Sequence, residues 1–205
     1  GTAADGPSGA QVQPRVGRTV VDPDTKQRFA TYSLRARQVL IAALEEAVKR
    51  GRGAVDQENL LGGIAVVEAS AGLAILGDLG ISQGRLQGAV ETAFPPDLTA
   101  NPMAADRGQP DNAGAAQEVV PLRLAERAER TLTLAEEEVR SLGHRYVGVE
   151  HLLLGLVLEG TGPGSELLAR LGVTPPTARA AFHRFLDTPA HRTWLGTERP
   201  EPSGE

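Results

Sequence analysis

The chain has 205 residues, a formal charge of −5 and no cysteine, and only 3% of its residues are aromatic. The absence of cysteine excludes disulfides, thiolate catalysis and cysteine-ligated zinc. The acidic balance, without a basic block, argues against a nucleic-acid partner. No apolar run reaches the roughly 18 residues of a membrane span. No signal-peptide pattern is visible, so we expect a cytoplasmic protein with no membrane partner.

In chain order, the composition predicts five segments. Residues 1–28 mix glycine, proline and short polar residues without periodicity, which predicts a disordered N-terminal arm. Two helical repeats are predicted over residues 29–94 and 119–188, joined by a Pro- and Gly-rich linker at residues 95–118. Residues 189–205 are predicted to form a short helix followed by a C-terminal tail. That helix carries the only tryptophan, Trp194, which we expect to be a packing anchor.

The two repeats are copies of each other. Arg35–Gly63 aligns with Arg127–Gly155 without a gap, at a constant offset of 92 positions. Identical residues recur at Leu40 and Leu132, Gly51 and Gly143, Glu58 and Glu150, Leu61 and Leu153, and Gly63 and Gly155. An internal duplication of this kind predicts two structurally similar units.

Each copy has the pattern of about four helices. In the second, apolar residues recur at three- and four-residue steps, at Leu124, Ala128, Leu132, Ala135, Val139 and Leu142, which indicates an amphipathic helix. Helix ends are predicted at Gly51 and Gly143. Helix starts are predicted at Asp56, Gly148, Pro163, Ser82 and Thr174. The sequence therefore predicts an all-α fold, with two tandem pseudo-symmetric four-helix repeats in one compact domain.

The stretch "GVEHLLLGL" places Glu150 and His151 at the start of a leucine-rich helix. The zinc motif H-E-x-x-H needs two histidines one turn apart, whereas the nearest second histidine here is His144, and the first copy has Arg52 and Asn59 at these two positions. No nucleophile or histidine partner recurs beside the glutamate in both copies. We therefore expect no metal, no cofactor and no catalytic residues.

Two interpretations of Glu58 and Glu150 remain open. As residues of a first helical turn, they would be stabilised by the helix dipole by about 0.3–1 kcal/mol, with His151 half-buried and bonded to a carbonyl. Alternatively, both carboxylates face a shallow groove and accept a guanidinium group from a ligand. The run Glu136, Glu137 and Glu138 is predicted to be a solvated helix face.

The order "GHRYVGVEHLLLGL", a short turn and "LLARLGV" resembles the Clp N-terminal repeat, which occurs as a tandem pair at the front of ClpC-type and ClpA-type AAA+ unfoldases. The resemblance covers about residues 28–95 and 119–187. It implies a non-catalytic module that docks adaptors or substrate proteins of the Clp system. The chain has no G-x-x-x-x-G-K-[ST] motif for a nucleotide. It is therefore interpreted as an N-domain of a longer protein or as a stand-alone relative.

The resemblance also implies two classes of ligand. Some ClpC-type domains bind phosphoarginine through the glutamate at the positions of Glu58 and Glu150. Actinobacterial members bind cyclic peptide antibiotics through their opening segments, which match Tyr32 and Ser33 in the first copy and Leu124 and Ala125 in the second. Where the family has threonine, Ala125 lacks a hydroxyl, so a weaker phosphate contact is expected at the second site. The alternative function is a decoy that sequesters Clp-targeting cyclic peptides.

Overall fold

The computed structural model describes residues 27–95 and 123–189. Most of the predicted arm and linker, together with Trp194 and the C-terminal tail, lies outside the described residues. Within them the ordered elements are helices, and the all-α prediction is confirmed. No single described helix is long and apolar enough to cross a membrane. Two consecutive helices, at Gln57–Val66 and Ala71–Asp78, would pass together on length and composition, but they are bent by 89° at their junction.

Eight helices of at least eight residues form the two repeats within the described ranges, and residues 27–29 add a short helical turn before the first. The first repeat contains α1 (Leu34–Lys49), α2 (Gln57–Val66), α3 (Ala71–Asp78) and α4 (Gln83–Ala93). The second contains α5 (Glu126–Ser141), α6 (Val149–Glu159), α7 (Pro163–Arg170) and α8 (Pro175–Leu186). Each helix of the second repeat begins 92 residues after its counterpart (34 and 126, 57 and 149, 71 and 163, 83 and 175). The duplication seen in the sequence is thus a duplication of structure.

The predicted capping residues begin and end these helices. Asp56, Ser82 and Thr174 are the N-caps of α2, α4 and α8. The Asp56 and Ser82 side chains accept hydrogen bonds from backbone N–H groups that have no partner inside the helix, whereas the Thr174 N–H donates to the Thr177 hydroxyl at 2.9 Å. Gly51 and Gly143 follow α1 and α5 with φ of +66° and +67°, the left-handed conformation that glycine adopts without strain. Local sequence therefore fixes the end of the long first helix in each repeat and the starts of α2, α4 and α8.

Within each repeat, the first two helices pack closely along a glycine. A Cβ atom at Gly63 would overlap the carbonyl oxygen of Val39, and one at Gly155 would overlap that of Thr131, at the equivalent place. The absence of a side chain lets the backbones of α1 and α2, and of α5 and α6, approach each other. The apolar faces of α1 and α5 are buried in these contacts, mainly through alanine, valine and leucine.

The two repeats share one core. Helix α2 packs on α7 as α6 packs on α3, so the contacts follow the pseudo-twofold relation between the copies. Gln57, which is fully buried, joins the repeats by donating Nε2–H groups to Thr131 at 3.3 Å and Glu159 at 2.8 Å. Its Oε1 accepts hydrogen bonds from the backbone N–H and the hydroxyl of Ser165. A buried amide satisfied in this way favours one relative placement of the repeats.

Candidate binding site at the two glutamate helices

The opening segment of each repeat pairs with the loop that precedes the glutamate helix of the other repeat. Ser33 donates its backbone N–H to Val147 at 2.9 Å, and Val147 donates to Thr31 at 2.9 Å. In the second half, Val55 donates to Arg123 and Ala125 donates to Val55, each at 2.8 Å. Both contacts are short parallel bridges. Each candidate site is therefore built from both repeats.

This pairing between repeats corrects the grouping of site residues that the sequence alignment suggests. The alignment assigns Ser33 to the site of Glu58 and Ala125 to the site of Glu150, because each pair lies in one repeat. In the structure, Ser33 lies beside the loop that leads to Glu150, and Ala125 lies beside the loop that leads to Glu58. The expectation of a weaker second site rested on the wrong pairing.

The side chains of the opening segments are mostly internal. Tyr32 and Ser33 are both fully buried. The Tyr32 hydroxyl donates to Glu136 at 2.7 Å, and the Ser33 hydroxyl caps α1 by accepting from the Ala36 N–H at 3.2 Å. Leu124 and Ala125 are half-buried, and Ala125 caps α5 without a side-chain bond. Tyr32 and Ser33 hold the segment in place, whereas Leu124 and Ala125 keep part of their surface exposed.

Glu136 is not simply part of a solvated face, as the sequence predicted. Its carboxylate accepts the Tyr32 hydroxyl and also bonds Arg28 Nε at 2.8 Å. Arg28 bonds Glu129 as well, so α5 of the second repeat holds the beginning of the first repeat. Burial, followed by the negative charge of Glu136, raises the pKa of Tyr32 well above its usual range. The phenol therefore stays protonated and keeps donating to Glu136.

Glu150 lies in the first turn of α6 and is only 7% exposed. Its Oε2 atom has no hydrogen-bond partner among the described residues. The carboxylate lies against Gly148, the N-cap of α6, where any Cβ atom would overlap it. A buried carboxylate oxygen without a partner is costly, and a cationic donor is the group that would remove that cost.

His151 and His144 complete the surroundings of Glu150. His151 is 1% exposed, and its Nδ1 accepts from the Gly148 N–H at 3.0 Å while its Nε2 bonds His144 Nδ1 at 2.9 Å. The prediction of a half-buried histidine bonded to a carbonyl was wrong, because His151 serves as an N-terminal cap for α6. Burial acts to raise the pKa of Glu150, but the neighbouring imidazoles of His151 and His144 hold that pKa below its ordinary value.

Glu58, the counterpart of Glu150, has a different environment. It is also 7% exposed with an unpartnered Oε2, but its Oε1 accepts a hydrogen bond from the guanidinium of Arg52. Asp56, which replaces Gly148, caps α2 with its side chain. Asn59, which replaces His151, accepts from the Asp56 N–H at 3.0 Å and so performs the same capping task. The fold of α2 therefore survives the loss of the histidine.

The chemistry of both sites is that of carboxylates at helix starts. No group of three His, Asp or Glu within residues 27–95 and 123–189 is arranged to hold a metal ion. The sequence missed Arg52 as the partner of Glu58 and Gln57 as the buried link between repeats. The sequence contains a signal for the role of Arg52, since Arg52 and His144 precede their glutamates by the same six residues. Gln57 had none, because its partners are distant in the chain.

Comparison with known proteins agrees with this architecture. Residues 123–203 match the profile of the family described as Clp repeat (R) N-terminal domain. The Bacillus subtilis protein ClpC/MecB, described as a negative regulator of genetic competence, is 32% identical over 160 residues, covering 77% of this chain and 17% of that protein. The chloroplastic chaperone protein ClpC of Pisum sativum is 30% identical over 158 residues, covering 77% and 15%. The chain thus matches less than a fifth of the length of these relatives.

Solved structures share the fold. The N-terminal domain of the chaperone ClpD from Arabidopsis thaliana superposes with a TM-score of 0.53 at 24% identity, covering 76% of this chain and 95% of that one. A chain from a malarial protein secretion system superposes with a TM-score of 0.56 at 18% identity, covering 78% and 98%. The resemblance predicted from the sequence is confirmed, and this chain carries a Clp repeat N-terminal domain.

Proposed function

We propose that this chain is a non-catalytic binding module of a cytoplasmic Clp system, and that Glu150 receives the guanidinium of an arginine-type group on a substrate or adaptor protein. The observation that carries the proposal is the Glu150 carboxylate. Glu150 is only 7% exposed, and one of its carboxylate oxygens has no hydrogen-bond partner among the described residues. A planar guanidinium offers parallel N–H donors that match a carboxylate held at a fixed position.

The surroundings of Glu150 also suit an anion next to the guanidinium. The hydrogen bond between Ser33 and Val147 brings the start of α1 beside the loop that leads into α6. Helix N-termini carry partial positive charge and attract phosphate. A phosphorylated arginine carries both features, a guanidinium for Glu150 and a phosphate for the helix starts. This supports arginine-phosphorylated proteins as the ligand class.

The two sites are proposed to bind unequally. At Glu58 the chain's own Arg52 already provides a guanidinium, and the Asp56 carboxylate already occupies the start of α2. A ligand at Glu58 would have to displace Arg52 and approach the negative charge of Asp56. At Glu150, Gly148 brings no side chain and no arginine is bonded to the carboxylate in the described residues. We therefore assign the principal site to Glu150.

The test is a titration of the whole chain with free phosphoarginine, followed by backbone amide NMR shifts. We expect shifts around Val147–His151 and Ser33–Arg35 that Glu150→Gln removes and Glu58→Gln leaves. Free arginine serves as the control for the phosphate, and inorganic phosphate as the control for the guanidinium. No shifts at millimolar phosphoarginine, or shifts that survive Glu150→Gln, would refute this role of Glu150.

The alternative function, a decoy for cyclic peptide antibiotics, stays a prediction. Leu124 and Ala125 keep part of their surface exposed, which favours the second opening segment as the contact. Tyr32 is fully buried, so its side chain could take part only through a local rearrangement. Calorimetry with such a peptide at micromolar concentration distinguishes the two functions. Under the decoy hypothesis, heat is released, binding is stoichiometric and Glu150→Gln has no effect.

A further inference from the structure

The outer face of α1 carries a stripe of exposed apolar side chains. Leu34, Ile41 and Val48 are 49%, 51% and 43% exposed. They are seven residues apart, and seven residues are almost two helical turns, so the three side chains lie in one row along the helix. The opposite face of α1 is buried against α2. The row is therefore an unpartnered second apolar face on a helix whose core contacts are already made.

The second repeat shows that the fold does not require this stripe. The equivalent positions in α5, 92 residues later, are Glu126, Thr133 and Arg140, all polar. Helix α5 has the same length as α1 and buries the equivalent face. Two helices with the same structural task thus differ in the residues that face outwards. An apolar row found on one copy alone indicates a contact that only that copy makes.

A groove continues the stripe beyond Leu34. It has a volume of about 420 Å³ and is lined by Leu34, Arg35, Gln38, Val66, Val67 and Glu68. Val66 on its wall is 54% exposed. A groove beside α5 in the second repeat has a mixed lining, with Glu129, Arg130 and Glu137 next to Leu134 and Leu158. The exposed apolar surface of the first repeat therefore extends from α1 to the end of α2.

Residues of opposite charge lie at equal distances on either side of the centre of the stripe. Arg37 lies four residues before Ile41, and Glu45 lies four residues after it. Arg37 Nε is buried and has no hydrogen-bond partner in the described structure, while Glu45 is exposed. An antiparallel copy of α1 centred on Ile41 would bring each Arg37 to the partner's Glu45. A parallel copy would place like charges together.

We propose that two copies of this chain associate through the α1 face, with antiparallel helices and the twofold axis at Ile41. Val48 of one copy then lies over Leu34 and the adjoining groove of the other, where Lys49 approaches the partner's Glu68. Such a contact is isologous, because one surface meets its own twin. It includes neither Glu58 nor Glu150, but it adjoins the proposed ligand site at the first turn of α1, where Leu34 and Arg35 lie.

Sedimentation velocity of the whole chain between about 10 and about 500 μM tests the proposal. We expect a concentration-dependent dimer. The triple variant Leu34→Glu, Ile41→Thr, Val48→Arg is expected to be monomeric, and it introduces the residues that the second repeat already carries on a folded helix. The matched control, Thr133→Ile in α5, should leave the equilibrium unchanged. A wild-type chain that is monomeric throughout, or a dimer that the triple variant does not alter, overturns the proposal.

Two further variants test the geometry. The natural sequence has no cysteine, so Ile41→Cys supplies a single thiol at the proposed axis and should form a disulfide-linked dimer under mild oxidation. Leu34→Cys alone should cross-link weakly, and a mixture of Leu34→Cys with Val48→Cys should cross-link efficiently. Arg37→Glu and Glu45→Arg should each weaken the dimer at least tenfold, and the double variant should restore it. Efficient self-linking of Leu34→Cys with no mixed product would refute the antiparallel arrangement.

Discussion

Arg52 donates a hydrogen bond to the buried carboxylate of Glu58, six residues further along the chain. The second repeat has His144 at the equivalent position, and His144 bonds His151 instead of the glutamate. Both glutamates keep one carboxylate oxygen without a described partner. The two sites thus share a scaffold but differ in whether a guanidinium from the chain itself is already present.

Removing Arg52 should open the first site to ligands. In Arg52→His, which gives the first repeat the residue of the second, we expect phosphoarginine shifts to spread to Val55–Glu58. Calorimetry should then report a second binding event. The control is Arg145→Ser, which removes an exposed arginine from the equivalent loop of the second repeat. If Arg52→His binds as the wild type does, Arg52 does not limit access to Glu58.

The replacement Gly148→Ala should damage the second site without removing its glutamate. A Cβ atom at this position would overlap the carboxylate of Glu150, which must then move. Because the N-cap backbone is extended, with φ of −94°, alanine fits the chain conformation itself. We expect a loss of phosphoarginine affinity of about ten- to a hundredfold, as for a lost charged hydrogen bond. Unchanged thermal unfolding would show that the effect is local.

The ionisation of Glu150 should show in an acid titration. Its pKa is held below the ordinary value of about 4.3 once the opposing effect of burial is overcome. A depressed folded-state pKa means that ionised Glu150 stabilises the protein above the unfolded-state pKa, and that this contribution disappears as pH falls through the folded-state pKa. The difference in unfolding free energy between the wild type and Glu150→Gln should therefore shrink from pH 7 to about pH 3. A carboxyl NMR midpoint above about 4.3 would contradict this direction.

Much of the fold could be predicted because its determinants are local. The caps at Asp56, Ser82 and Thr174 and the left-handed glycines Gly51 and Gly143 act within a few residues of themselves. Because the two copies align at a constant offset, a helix boundary predicted in one repeat also predicts the equivalent boundary in the other. The starts of α1, α3 and α5, for which the sequence analysis names no residue, came from the structure.

The assembly of the sites could not be predicted in the same way. The bridges of Ser33 with Val147 and of Val55 with Ala125 are made by backbone groups, which every residue carries. The same amino-acid sequence is therefore compatible with pairing within one repeat and with pairing across the repeats. The role of Glu136 was hidden for a related reason, since its partners are Tyr32 of the first repeat and Arg28 at the end of the predicted arm.

Tyr32 should behave as a buried phenol that does not ionise in the folded protein. Burial and the charge of Glu136 raise its pKa, so its protonated form is the one that folding favours. This stabilisation is complete below the unfolded-state pKa of about 10 and is lost as pH rises towards the folded-state value. In a Tyr146→Phe background, absorbance at 295 nm reports Tyr32 alone. We expect no ionisation until the protein unfolds, and Tyr32→Phe should cost about 1 to 3 kcal/mol at pH 7.

Two adjacent glycines of α2 should respond in opposite directions to alanine. A Cβ atom at Gly63 would overlap the backbone carbonyl of Val39, which cannot move without shifting α1. At Gly62 the nearest atom to such a Cβ is Val90 Cγ1 at 3.9 Å, an ordinary contact. We expect Gly63→Ala to lower the free energy of unfolding by about 1 to 3 kcal/mol through overpacking. Gly62→Ala should raise it by about 0.5 to 1 kcal/mol, because alanine loses less backbone entropy in a helix.

Urea unfolding of the three proteins side by side measures both effects, with the urea dependence of the free energy as a check that the unfolded states are comparable. Because the two substitutions add the same methyl group to the same helix, helix propensity cancels from their comparison. The remaining difference reports the close approach of α1 and α2 alone. Equal stabilisation by both variants would show that α1 and α2 can separate at no cost, and that Gly63 does not set their spacing.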